Sequence, residues 1–542
     1  MNIIGGRALF APISALIMLG ALLVSDLRPP PGEPMYGPTR VTGPYAQLLA
    51  ASTDLGTADS GPVQLTVTLN GSGRPVSLLG WAADHALSVR WRPGDRWAIV
   101  DGEPARMAEA FGVEIHDYRG RRGQEFYASP QQPPVPEALR AEIGEVSRIL
   151  GYTPYRMSAP DLHHLPLDVP DRGLTPQSLL NTYNLRGLAD QGYTGKGATI
   201  VIFAFDGFDQ ADLDTFATTF NLPRFTPTVV GGQPSAPRGE TTMDLQVAHA
   251  IAPDARKVVV NARPTVQGDG AYEKIGQLLE AADREFPGAV WSFSIGWGCD
   301  KLLTAADLAP VRSALSAAHA HGTTAFNASG DLAGFECRGG QDWSSPPGPD
   351  DVGLDSVASL PEMTSVGGTT LSTDADGGWL AEQAWFDVPL SQGTGGGVSA
   401  LFDRPDWQRG LSAPGGTDEA GAQKRLTPDI SAVADPFTGV KIVLNGQLLV
   451  GGGTSQAAPL WAGIAAVMNQ YLSTNGGRAI GDLNPMLYRI AQGAPLPAFR
   501  DITLGGNAVA DAGPGFDLAT GLGTPDVDHL VKNLLVLQKA RP

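Results

Sequence analysis

Gly451-Gly452-Gly453-Thr454-Ser455-Gln456-Ala457-Ala458-Pro459 is the stretch on which the reading of this chain turns. Upstream of it, Val440 to Val450 is apolar and β-branched around an Asn445-Gly446 pair, the signature of a two-residue hairpin turn. Downstream, Leu460 to Met468 is apolar almost all round and reads as a buried helix. Ser455 therefore sits where a strand hands over to a helix. Glycines there let backbone approach a ligand, and the first free N–H groups of the helix face the same spot. A serine attacking a carbonyl needs that setting: an exposed hydroxyl beside N–H donors for an oxyanion. The competing reading is a helix N-cap serine after a glycine turn.

Working outward, Thr199 to Phe205, Lys257 to Asn261, Ala289 to Ile295, Thr323 to Ala328 and Met363 to Val366 are short apolar strands. Helical patterns lie among them at Ala211 to Phe220, Ala271 to Phe286 and Ala305 to His321. The alternation predicts an α/β fold with a doubly wound parallel sheet, where chemistry collects beyond the carboxyl ends of strands.

In Gly239 to Pro253, Glu240 and Asp244 stand four apart on one helical face. Two carboxylates that close titrate as a coupled unit with one pKa raised. Such a pair can take a serine's proton in acid, where a histidine is already charged. The alternative is an ordinary solvated acidic face near a helix start. His249 lies about 180° round the helix from Glu240 and about 140° from Asp244, so it cannot join them. His319 and His321 read as structural cations at a helix end, and His163 and His164 fall in a linker. Asn327-Ala328-Ser329-Gly330-Asp331 ends a buried strand, and Asp331 reads either as a crevice donor or as a turn aspartate. The glycosylation sequon at Asn327 is discounted because it lies in an apolar strand. Asp501-Ile502-Thr503 and Gly513-Pro514-Gly515-Phe516-Asp517 together offer hard oxygen ligands without Cys or His, which suits Ca²⁺ over Zn²⁺.

Ahead of the sheet, Val63 to Leu69, Trp97 to Val100, Val113 to Tyr118 and Glu125 to Ala128 read as strands, and Glu103 to Phe111 and Val135 to Leu150 as helices. They make a small α+β domain at 61–155. Residues 29–60 read as a Pro/Gly/Ser/Thr-rich linker, and 156–173 as an exposed linker. Residues 1–28 carry an apolar run at 8–24 that suits a signal peptide or a signal anchor equally. The chain has 542 residues, 17% of them charged, with a net charge of −18. That is a globular, loop-rich protein with nucleic acid and anionic membrane surfaces disfavoured as partners. Two cysteines, Cys299 and Cys337, suffice for one bridge in an exported protein.

These stretches, in this order, resemble the sedolisin family of serine-carboxyl peptidases over residues 60–535, and within it the kumamolisin-like members. Gly452 to Pro459 matches the family's G-T-S-x-x-x-P motif, Glu240 and Asp244 its E-x-x-x-D helix, and Asp331 its Ser-Gly-Asp. Pro428-Asp429-Ile430-Ser431-Ala432 and Ala434-Asp435-Pro436 are also similar. The resemblance implies a subtilisin-like fold for 174–542 and an exported acid endopeptidase, extracellular or anchored. In it Ser455 is the nucleophile and Glu240 the base and then the acid. Asp244 orients Glu240 and shares its proton, and Asp331 completes the oxyanion hole. It further implies one structural Ca²⁺ held by Asp501 and Asp517 carboxylates and by Ile502, Gly513 and Gly515 carbonyls. Residues 61–155 would be a prodomain, an intramolecular inhibitor removed by self-cleavage in the linker. Polypeptides would be the substrates. Tripeptidyl exopeptidase action and a catalytically silent, calcium-binding surface protein are the alternatives. Two departures stand out. Ser72 to Arg92 shows no clear first helix, and Thr199 to Phe205 lacks the glutamate that supports the dyad in kumamolisin-like members, which leaves Asp206 as the candidate substitute.

Overall fold

The computed structural model describes residues 37–540 apart from 60, 122, 154–155, 158–172, 339–347, 388–391 and 412–422. The leader at 1–28, its apolar run, most of the 156–173 linker, His163 and His164 lie outside the described residues. No helix among the described residues is long and apolar enough to cross a membrane.

The larger part of the chain is built on one eight-stranded sheet: β1 (Thr199–Ala204), β2 (Thr228–Val230), β3 (Arg256–Asn261), β4 (Val290–Phe293), β5 (Thr324–Ala328), β6 (Thr364–Thr373), β7 (Trp379–Ala384) and β8 (Ile430–Val433). The order is β2-β3-β1-β4-β5-β6, with β7 antiparallel and β8 parallel to β6. The other pairings in the sheet are parallel. Continuous apolar runs mark these strands because both faces of the sheet are covered. One face carries α1 (Glu240–Ile251) and α2 (Thr454–Thr474), and the other carries the helices Ala271–Glu285 and Ala309–Ala320. Strands Lys441–Leu444 and Gln447–Val450 form the expected hairpin. Asn445 and Gly446 both have positive φ at its tip. The Asp212 carboxylate accepts both their N–H groups at 2.8 Å.

The N-terminal part has its own core and packs on the Ala271–Glu285 side. Arg90 meets Glu273 at 2.5 Å, and Arg92 meets Glu280 at 2.6 Å. The structure corrects three expectations in this part. Residues 135–150 are not a helix. A single 3-10 turn at Glu137–Leu139 precedes strand Ile143–Val146, which pairs with Val63–Leu69. The apolar spacing suits a helix, but the open edge of Val63–Leu69 captures the segment, a tertiary override of local pattern. The 72–92 region does hold a helix, Val76–Asp84. Its first-turn N–H groups are accepted by Glu142, from Ser77 at 3.2 Å and Leu78 at 2.8 Å. Within the expected 29–60 linker, strand Thr39–Arg40, helix Pro44–Ala50 and strand Thr53–Thr57 are ordered elements. Tyr45 anchors them, buried with its hydroxyl 2.8 Å from the Ser129 carbonyl.

Candidate active site

Thr454 opens α2, so Ser455 stands in the helix's first turn and its hydroxyl makes no cap. The N-cap reading is therefore not the observed one. Gly453 takes the cap position at φ +87°, where a Cβ would come within 2.8 Å of Asp331 Oδ2 and 3.0 Å of Ser455 Oγ. The glycine thus lets the Asp331 carboxylate and the serine hydroxyl border one small space. Asp331 Oδ1 accepts the Thr454 N–H at 2.8 Å and its hydroxyl at 2.7 Å, which ties the end of β5 to the start of α2. Asn327 is fully buried in β5, so the sequon is not a surface acceptor.

Glu240 and Asp244 are both buried, and the whole of α1 is buried with them. The solvated-face alternative is excluded. Burial first, then the charges of Asp244, Asp206 and Asp331, push Glu240 well above the usual carboxylate range, while Ser455 draws it down. Burial also pushes Asp244 well up, against the Ser294 hydroxyl. Neither Glu240 oxygen nor Ser455 Oγ has a partner at hydrogen-bond geometry. Their approach is looser than a hydrogen bond.

Asp206, at the end of β1, does not bond either dyad carboxylate. It binds the backbone that precedes and opens α1. Its oxygens accept N–H groups from Arg238 at 2.8 Å, Gly239 at 3.1 Å and Thr241 at 3.0 Å, and the Thr241 hydroxyl at 2.6 Å. Asp206→Ala would strip four donors, three of them buried, of their acceptor. The expected cost is about 2 kcal/mol or more of stability, read as a lowered denaturation midpoint at unchanged m.

The histidines are placed elsewhere. His249 is buried, with Nε2 2.8 Å from the Pro223 carbonyl and Nδ1 3.0 Å from Lys257 Nζ, and burial pushes it down to about 3. His319 lies between the Thr323 and Glu362 carbonyls, and His321 pairs with Asp283. None partners Ser455.

Sequence reading missed three buried residues: Ser294 and Asp300, which follow β4, and Asp355, which binds the backbone there. Asp355 accepts the Trp297, Val357 and Ala358 N–H groups, and Asp300 accepts those of Leu354 and Ala400. Burial pushes Asp300 up to about 6 and Asp355 to about 7. Cys299 and Cys337 are joined in a disulfide beside them. Nothing in their local sequence marks these acids, because their partners lie far along the chain.

At the proposed metal loop, Asp517 accepts N–H groups from Gly513 at 3.2 Å, Ala519 at 2.9 Å and Thr520 at 2.8 Å, and Asp501 accepts that of Gly515 at 2.9 Å. Both carboxylates are thus tied to the same glycine-rich turn. The donors available are all oxygens, a set that fits a hard cation.

No protein-family model matches the chain. It is 30% identical to kumamolisin of Bacillus sp. (strain MN-32) over 463 residues, 81% of this chain and 78% of the relative. The chain belongs to the sedolisin family. It is therefore a serine-carboxyl peptidase with a subtilisin-like fold. Further sedolisin-family similarity runs to tripeptidyl-peptidase 1 of Dictyostelium discoideum, 29% identical over 63% of this chain and 55% of that one. The solved structure of Pseudomonas sedolisin complexed with pseudo-iodotyrostatin superposes with a TM-score of 0.56 at 26% identity, over 68% of this chain and 99% of that one.

Proposed function

We propose that this sedolisin-family member is an exported, acid-acting endopeptidase. Ser455 attacks the peptide carbonyl, and Glu240 takes its proton and passes it to the leaving amine. Asp244 orients Glu240 and shares the proton. Asp331 and the Ser455 N–H hold the oxyanion, and water hydrolyses the acyl-enzyme. The observation that carries this reading is a buried carboxylate pair beside a helix-start serine that no histidine among the described residues accompanies. The Cys299–Cys337 bond supports export. Residues 61–155 act as the prodomain, and the linker at 156–173 is where it is severed. In support, Arg156–Met157 pair antiparallel with Ile295–Gly296, immediately beyond Ser294.

The test is cleavage of a denatured protein from about pH 2 to 8 by wild type and Ser455→Ala, matched for maturation. Acid-confined activity lost in the variant is the expected result. Activity that peaks above neutral would overturn it. The tripeptidyl-peptidase relatives make a second reading concrete: tripeptide release from free N-termini. A substrate blocked at its N-terminus separates the two, because only the endopeptidase still cuts it.

Asp501, Asp517 and the carbonyls of Ile502, Gly513 and Gly515 are proposed to hold one Ca²⁺, which when bound neutralises two carboxylates and pins the C-terminal loops. Chelation with EGTA is expected to lower the melting temperature by several degrees, restored by Ca²⁺ and not by Mg²⁺. Asp501→Ala should melt at one temperature with or without EGTA. An unchanged wild-type melt would remove the metal from this reading.

A further inference from the structure

Four residues after Ser455 stands Pro459, inside α2. Proline has no N–H, so the Ser455 carbonyl has no donor four places on. Ser455 is fully buried, and a buried carbonyl left without a donor is costly. The donor it finds is Ser294, whose Oγ lies 3.0 Å away. The same Oγ is 2.9 Å from Asp244 Oδ1. Ser294 is itself buried, just past the end of β4.

A serine hydroxyl has one hydrogen and two lone pairs. The Ser455 carbonyl can only accept, whereas Asp244 accepts as a carboxylate and donates as an acid. Two arrangements follow. With a proton on Asp244 Oδ1, Asp244 donates to Ser294 and Ser294 donates to the Ser455 carbonyl. With that proton passed to the Glu240 side, Ser294 turns its hydrogen onto Oδ1 and releases the carbonyl. We propose that Ser294 is a positioning residue for the Glu240–Asp244 pair, a rotating hydroxyl that tells the peptide bearing the nucleophile where the dyad's proton is. No proton crosses Ser294, and only hydrogen bonds are exchanged. The inference rests on the dyad proposed above. The charged groups that bear on Asp244 are Glu240 on its own helix and Asp206 at the end of β1, while Asp331 bears on Glu240.

The test compares Ser294→Ala, Ser294→Thr and the double variant Ser294→Ala/Pro459→Ala. The readout is kcat and kcat/KM from pH 2 to 8 on an N-terminally blocked peptide, with folding checked by circular dichroism. Ser294→Ala is expected to lose about tenfold or more in kcat. Its basic limb should move up by about half to one pH unit, because the Asp244 carboxylate has lost a donor. Threonine should restore both. In the double variant a backbone N–H at position 459 again serves the Ser455 carbonyl, so part of kcat should recover while the basic limb stays displaced. A basic limb that is unmoved or moves down in Ser294→Ala overturns the proposal. So does a double variant that resets the limb together with the rate, since Ser294 would then be a backbone prop only. If Ser294→Ala does not fold, Ser294→Cys, a weak donor of similar size, carries the same comparison. Glu240→Gln that keeps its activity would sink the dyad itself, whatever Ser294 does.

Discussion

Glu240→Gln should lower kcat on a blocked peptide by on the order of a thousandfold, with KM little changed. Glutamine keeps the shape of the side chain and removes its ability to take a proton. The protein should nevertheless fold, because the site already favours a neutral group there. Burial and three neighbouring carboxylates raise the Glu240 pKa well above 4.5. An acid raised in this way binds more protons folded than unfolded across the interval between its two pKa values. Its contribution is therefore complete in acid and is lost as pH rises through that interval. Glutamine has no such loss. The variant should match wild type in melting temperature near pH 4 and exceed it near pH 7. Steady-state kinetics and calorimetry at the two pH values check both halves. A kcat within tenfold of wild type would place the base elsewhere.

The second large effect is on stability. Arg425 and Asp429 form a fully buried pair, with guanidinium nitrogens 2.8 and 2.6 Å from the two carboxylate oxygens. The Tyr488 hydroxyl and the Ser365 N–H also donate to Asp429, each at 2.8 Å, and the guanidinium lies 4.9 Å over the Trp407 ring. Asp429→Ala leaves that guanidinium buried and unpaired. The expected loss is about 3–5 kcal/mol, read from urea unfolding. Replacing both partners, as in Arg425→Met/Asp429→Leu, should cost much less, because no charge is then stranded. A single variant within about 1 kcal/mol of wild type would show that water reaches the pair. The loss should also reach the site. Asp429 immediately precedes β8, and Ala434, just past β8, accepts the Gly453 N–H.

What was legible in the sequence was whatever its own neighbourhood dictates. The strands of a doubly covered sheet are apolar throughout, Asn445-Gly446 has little choice but to turn, and four-residue spacing puts Glu240 and Asp244 on one face. The same helical geometry kept His249 away from them. What could not be read depends on partners distant along the chain. The helix Val76–Asp84 has no local cap because Glu142 supplies one. The 135–150 segment carries a helical period that an open strand edge overrules. The ordered stretch at 38–57 is held by Tyr45 against Ser129. Asp206 is legible as the substitute for an absent glutamate, but its grip on the helix backbone depends on the fold. Ser294 carries no local signal, because the two groups it meets, Asp244 and the Ser455 carbonyl, lie far from it in the chain.

Asp300 and Asp355, buried and tied to backbone, bear on how long the fold lasts. Both raised acids are held neutral in acid, and both gain charge inside the protein as pH climbs through about 6 to 7. By the same linkage that governs Glu240, the folded state is favoured on the acid side of that range. Among the N–H groups they hold is that of Trp297, the residue that follows the strand segment Ile295–Gly296. The expected result is a melting temperature lower near pH 7 than near pH 4, with Asp355→Asn narrowing the difference in calorimetry. Time spent in neutral surroundings is therefore expected to shorten the life of the fold, measured as the rate of unfolding at pH 7 against that at pH 4.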